Sequence, residues 1–146
     1  LVGTHNGIVF YNDSLATIPE ATIAALDILG DKVATLLIGG YDRGIQFSKL
    51  AKRILESNVR TLILFPTTGE LVLQELETIR KNAPLPKYFH VQSMAEAVEL
   101  GYKHTPKGHI CLLSSAASSF NMFRDYKHRG EEFKKWIMDY GKKKRA

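Results

Sequence analysis

The chain has a single cysteine, Cys111, among its 146 residues. No internal disulfide is possible, so packing alone must hold the fold, and a reducing cytoplasm is the natural setting. Cys111 lies inside an apolar stretch and reads as a small buried strand residue, not a nucleophile. No apolar run approaches the roughly 18 residues that a membrane-spanning helix needs, so no membrane partner is expected. The opening residues carry no charged, apolar, small-residue leader, so secretion is not expected. Leu1 stands almost directly before a predicted strand, as a cut at a domain hinge would leave it.

Motifs for several chemistries are missing as well. There is no GxxxxGK[ST] phosphate loop, no GxGxxG dinucleotide turn and no GxSxG nucleophile elbow. The histidines His5, His90, His104, His109 and His128 are scattered, without HxxxH or HExxH spacing, and no metal site is expected. His90 and His109 fall in predicted strands, where packing or surface roles suit them better than catalysis. An acidic excess is absent too: the formal net charge is +5. Four of the 20 basic residues are Lys142, Lys143, Lys144 and Arg145, so 16 remain against 15 acidic ones and the body is close to neutral. A terminal KKKR run reads as a solvated tail, and with no aromatic-interleaved basic face elsewhere no nucleic-acid partner is expected.

What remains is an ordinary globular composition, 45% hydrophobic and 24% charged, long enough for one domain with a real core. Short strands alternate with amphipathic helices. Strands are predicted over 7–12, 33–38, 61–65, 88–91 and 109–113, and helices over 18–29, 47–56, 70–81, 93–103 and 131–140. Thr17 with Glu20, Thr67 with Glu70, and Ser93 with Glu96 have capping-box spacing. Pro19 suits a first helical turn, and Gly30 stands where a left-handed residue ends a helix. Such alternation with short connections predicts right-handed crossovers and a mainly parallel sheet flanked by helices, a three-layer Rossmann-like α/β domain. Ligands of such folds bind outside the carboxyl ends of the strands, where helix N-termini also point their free N–H groups.

Three loops at that edge are rich in polar groups. In the first, 12–17, turn and cap chemistry explains most residues. Asp13, directly after a strand, could equally accept from ribose hydroxyls. The second, 39–44, pairs glycines with Arg43. It is either a bland double-glycine turn with a solvated arginine or a stiff loop holding a guanidinium for bidentate recognition of a carboxylate or phosphate. The third, 114–120, has four serines and two alanines. It is a tight loop, or one that leaves room for a ligand and donates to it. The following 124–130 packs six ionisable side chains into one connector, which reads as charged exposed surface.

Taken together, the segments NDSLATIPEATIAAL, LLIGGYDRGIQFSKLA and LLSSAASSFNMFRDYKHRGEEFKKWI resemble the C-terminal domain of the Mur ligases, in the family's order and over nearly the whole chain. The resemblance is strongest to the D-glutamate-adding members. It implies that residues 1–141 are the amino-acid-binding C-terminal domain and that 142–146 is a basic tail. It further implies a cytoplasmic, monomeric, three-domain ligase of peptidoglycan synthesis. Such an enzyme uses ATP and Mg2+ to activate UDP-N-acetylmuramoyl-L-alanine as an acyl phosphate, which the amine of D-glutamate then attacks. The N-terminal and central domains would hold the UDP-sugar, the phosphates and the metal, so this chain is expected to be inactive alone and to contain no catalytic residue. On the family pattern, Asp13 faces the ATP ribose, while Thr17, Arg43, Ser119, the Phe120 backbone and Tyr126 surround D-glutamate. Three positions depart from the family: Leu15 replaces a common lysine, Arg43 is a lysine in some members, and Tyr126 is commonly phenylalanine. The rivals are a non-catalytic Rossmann-like module that binds a nucleotide or sugar phosphate, and a Mur-type ligase for another amino acid.

Overall fold

The computed structural model describes the backbone of residues 1–145 and the side chains of residues 1–143. Six strands form one sheet: β1 (Gly3–His5), β2 (Ile8–Asn12), β3 (Val33–Ile38), β4 (Thr61–Leu64), β5 (Lys87–His90) and β6 (Ile110–Leu113). Four α-helices connect them, α1 (Pro19–Leu29), α2 (Ser48–Glu56), α3 (Thr68–Ile79) and α4 (Met94–His104), and α5 (Tyr126–Arg145) follows β6. The sheet order is β1-β2-β6-β3-β4-β5, parallel throughout except for β1, which pairs antiparallel with β2.

That order and the handedness rule fix the layers. From β2 through β5 the chain steps in one direction along the sheet, so right-handed crossovers put α1, α2 and α3 on one face. From β5 the chain steps back to β6, which sends α4 to the other face, where α5 joins it. Contacts follow suit, α1 with α2, α2 with α3, and α4 with α5. Strand side chains alternate accordingly. Leu36, Ile38, Leu62, Leu64 and Leu112 face the first helical layer. Phe10, Leu37, Ile63, Cys111 and Leu113 face the second, against Val98, Phe133 and Ile137. The predicted three-layer architecture is therefore the observed one. Cys111 is fully buried, and that burial pushes its thiol up to about 12.

Several local expectations change. The first predicted strand proves to be the second arm of a hairpin with β1, turned by Asn6 and Gly7 at φ 53° and 78°, the positive pair that a tight two-residue turn requires. Of the three predicted capping boxes, only the one at Ser93 caps its helix, and there Glu96 reaches one residue past the cap. The Ser93 hydroxyl accepts from the Glu96 N–H at 3.2 Å, and Glu96 Oε1 accepts from the Gln92 N–H at 2.9 Å. Thr17 does not cap α1. Pro19 holds the preceding Ile18 extended, at φ −134° and ψ 154°, so Ile18 becomes the cap and the spacing to Glu20 is one residue short. Thr67 caps nothing because its backbone is helical, and the Gly40 carbonyl serves α3 instead, accepting from the N–H groups of Thr67 and Thr68. Gly30 does adopt a positive φ, 69°. The last helix starts at Tyr126, five residues before the predicted start, and continues through Lys142 and Lys143 to Arg145. Of the expected tail, Ala146 and the side chains of Lys144 and Arg145 lie outside the described residues.

Candidate functional site

The three polar loops leave the carboxyl ends of β2, β3 and β6, which are neighbours in the sheet with β6 in the middle. Backbone bonds tie each outer loop to the central one. The Asp13 N–H donates to the Leu113 carbonyl at 2.7 Å, the Gly39 N–H to Ser115 at 2.9 Å, and the Tyr41 N–H to Ser118 at 2.9 Å. Gly40 is required by this closeness, since a Cβ there would stand 2.3 Å from the Ser118 carbonyl oxygen. Gly39 is required twice over, by φ 115° and by a Cβ position 2.4 Å from the Phe65 carbonyl oxygen. The central loop is itself strained: Ala116 has φ 59°, which few residues with a side chain adopt. The buried hydroxyls of Ser115 and Ser118 find no partner among the described residues.

Asp13 is half-buried. Its Oδ2 accepts from the Ser114 hydroxyl at 2.8 Å, while Oδ1 accepts from no group among the described residues and is available to a ligand donor. Burial raises its pKa above the ordinary carboxylate value, and the Ser114 hydrogen bond partly opposes that shift. Ser114 Oγ also lies 3.0 Å from the Thr22 hydroxyl, which donates to the Ser114 carbonyl at 3.2 Å. Arg43 is exposed on the second loop and reaches the first, where its Nη2 donates to the Thr17 carbonyl at 3.3 Å. The loop around it is stiffened by the Asp42 carboxylate, which accepts from the Gly44 N–H at 2.8 Å. Ser119 is buried, and its carbonyl accepts from the N–H groups of Met122 and Phe123. Phe120 projects outward, 67% exposed, and Tyr126 is 37% exposed at the start of α5. The Tyr126 carbonyl accepts from the Ser14 hydroxyl at 2.6 Å. All six residues picked from the sequence thus lie on the three loops or at the head of α5.

The structure adds one residue that sequence reasoning missed. Arg129 lies in the connector expected to be charged surface, yet it is 1% exposed. Its Nε donates to the Ser14 hydroxyl at 2.8 Å, Nη1 to the Ala117 carbonyl at 2.9 Å, and Nη2 to the Ser14 carbonyl at 2.6 Å. Burial lowers its pKa to about 10, so it stays cationic at neutral pH. A signal was present: Arg129 stands four and eight residues before Phe133 and Ile137, on the apolar stripe of α5. Leu15, 66% exposed, shares a cavity of about 260 Å³ with Asn12, Ser14, Tyr126, Lys127 and Lys134. Larger hollows exist elsewhere, one of about 480 Å³ at the amino-terminal ends of β4 and β5, but they hold none of the six residues. Among the described residues no group of His, Cys, Asp and Glu is arranged to hold a metal ion. No described helix is long and apolar enough to cross a membrane.

No family model matches the chain. Individual proteins do. It is 38% identical over 133 residues, 91% of its length, to the UDP-N-acetylmuramoylalanine–D-glutamate ligase of Caldanaerobacter subterraneus, and 37% identical over 141 residues to that of Acetivibrio thermocellus. The chain belongs to the Mur ligase family. It matches the C-terminal domain of these ligases and spans about three-tenths of the length of the curated relatives it matches. The UDP-N-acetylmuramoyl-L-alanine–L-glutamate ligase of Salinispora tropica is 33% identical over 134 residues, so similarity of this degree extends to a relative named for the opposite enantiomer. Family membership agrees with the fold, whose Mur-like segments are the three loops joined at one edge of the sheet.

Proposed function

We propose that this domain receives D-glutamate for an ATP-dependent Mur ligase that extends UDP-N-acetylmuramoyl-L-alanine in peptidoglycan synthesis. The observation that carries the reading is the contact between Arg43 and Thr17, which joins two chosen residues of the first and second loops, the second being tied in turn to the third through Tyr41 and Ser118. A dicarboxylic amino acid needs a cation for its side-chain carboxylate and neutral donors around it. The Arg43 guanidinium offers paired N–H donors, and the Thr17 and Ser119 hydroxyls with the Phe120 N–H supply the rest. The Tyr126 ring closes the apolar side. Asp13 Oδ1 suits a ribose hydroxyl of ATP.

The chemistry divides between domains. ATP phosphorylates the substrate carboxylate in the other two domains, which also hold the UDP-sugar, the phosphates and magnesium. The residues of this chain fit the ribose and the amino acid, while the described residues form no metal cluster and the sequence has no phosphate loop. Their task is to hold the amine of D-glutamate, in its unprotonated form, in line with the acyl carbon. The new C–N bond then forms as phosphate departs and the amine loses a proton, and fixed positioning lowers the entropic part of that barrier. We place the ligase in the cytoplasm as a monomer, with this domain inactive by itself.

In full-length ligase, phosphate release from ATP should require UDP-N-acetylmuramoyl-L-alanine and D-glutamate together. Arg43→Ala should raise the D-glutamate KM about 10- to 100-fold, the value of a charge-assisted hydrogen bond. An unchanged KM removes Arg43 from the site. Turnover with L-lysine, diaminopimelate or L-alanine in place of D-glutamate overturns the specificity. The Salinispora relative favours one second reading, L-glutamate as substrate, and the same assay with both enantiomers decides it. Tight nucleotide binding by the 146-residue chain alone would instead mark a free-standing binding module.

A further inference from the structure

Arg129 is the largest fully buried side chain, and its three acceptors are all neutral. A buried cation with no carboxylate beside it costs stability that an apolar side chain of similar size would not. The geometry shows what the guanidinium does in return. Nε and Nη2 hold the first loop at both the hydroxyl and the carbonyl of Ser14, and Nη1 holds the third loop at Ala117. Ser14 follows Asp13 directly, and Ala117 stands two residues before Ser119. The Ser14 hydroxyl passes the connection on to the Tyr126 carbonyl. One planar fork therefore spans the ribose-facing loop, the amino-acid-facing loop and the head of α5. Its reach matches the fixed spread of guanidinium donors, which a single ammonium nitrogen cannot reproduce.

We propose that Arg129 is a positioning residue that sets the ATP-ribose loop and the D-glutamate loop relative to each other. The inference rests on the functional reading above. Arg129 touches neither substrate; it acts through Ser14 and Ala117. Its removal frees both loops at once, so the two substrates that meet this domain should weaken together. The UDP-sugar, held elsewhere, should not be affected.

The test is steady-state kinetics of the full-length ligase with each substrate varied in turn. Arg129→Lys keeps the charge and most of the bulk but has one nitrogen for three acceptors. It should raise the KM for D-glutamate and for ATP about tenfold each, while the KM for UDP-N-acetylmuramoyl-L-alanine changes less than about twofold. Ser14→Ala leaves the two carbonyl contacts in place and should raise the same two constants about threefold. Arg53→Ala, which breaks the surface pair with Asp27, should move none of them. A purely structural arginine would lower kcat through loss of active enzyme, or lower Tm, without changing any KM, and that result overturns the proposal. Should Arg129→Lys not accumulate as folded protein, Ser14→Ala decides alone, and unchanged constants for D-glutamate and ATP overturn it. A wild-type ligase indifferent to D-glutamate would overturn the functional reading, and this inference with it.

Discussion

Consider Gly40→Ala. The new methyl would sit 2.3 Å from the Ser118 carbonyl oxygen, about 1 Å inside the closest ordinary approach. The obstacle is backbone, and it is anchored, because that same oxygen accepts from the Tyr41 N–H. Relief requires the second and third loops to move apart. Overpacking of this kind costs about 1–3 kcal/mol, and a weakened Tyr41–Ser118 bond adds about 1 kcal/mol. For a domain of this size, roughly 4 °C of Tm accompanies each kcal/mol, so the chain should melt about 8–16 °C lower. Gly44→Ala is the control. Gly44 has φ 77° but open space around its Cβ position, so backbone strain alone should cost about 1 kcal/mol or little more. Thermal denaturation followed by circular dichroism compares the two. The reasoning fails if Gly40→Ala melts at or above Gly44→Ala. It also fails if adding Ala117→Gly restores the stability, since that would make the Ala117 methyl, 3.3 Å away, the obstacle in place of the carbonyl.

Three further outcomes are expected. The Asp13 carboxyl, raised by burial, should titrate above 3.8 in carbon-detected NMR, and a midpoint below that value would contradict the burial argument. Since its folded pKa lies above the unfolded one, its contribution to stability is present at low pH and is lost as pH rises through the folded value. The charged form therefore opposes folding at pH 7, and Asp13→Asn should leave Tm there unchanged or higher while raising the ATP KM of the full ligase. Cys111, buried with its thiol near 12, should resist aromatic disulfide reagents at pH 8 until denaturant is added; rapid labelling of the native chain would show that its strand opens locally. Arg43→Ala should change the stability of the chain by no more than about 0.5 kcal/mol in urea titration, because the residue is exposed and makes one 3.3 Å contact. A larger loss would make Arg43 a structural residue first.

The sheet was legible in the sequence because β3, β4 and β6 are runs buried on both faces, apolar apart from Thr35 and Thr61. The hairpin was announced by Asn6-Gly7, but a three-residue strand offers too short an alternation to count. Capping spacing failed at Thr17 and Thr67 for different reasons: a proline fixed one cap a residue late, and a distant carbonyl at Gly40 took over the other. Both are decided outside the four-residue window in which a capping box is read. At the site, Asp13 and Arg43 stood out because each lies in a polar loop close behind a strand, whereas Ser119 was singled out within its loop only by the family resemblance. Arg129 did not, since nothing in a run of charges says which member turns inward; only its place on the stripe with Phe133 and Ile137 gave it away.

The sheet order has a consequence for how specificity can change. The first, third and second loops hang from β2, β6 and β3, adjacent strands held about 4.8 Å apart by their hydrogen bonds. The anchors of the three loops are thus ruled off by the backbone lattice, whatever side chains the loops carry. On the proposed function, a substitution at the position of Arg43 alters which amino acid is welcome without moving the rulings themselves. Relatives named for mirror-image substrates can share such a frame, with selection free to rewrite the tips while the spacing between them stays inherited.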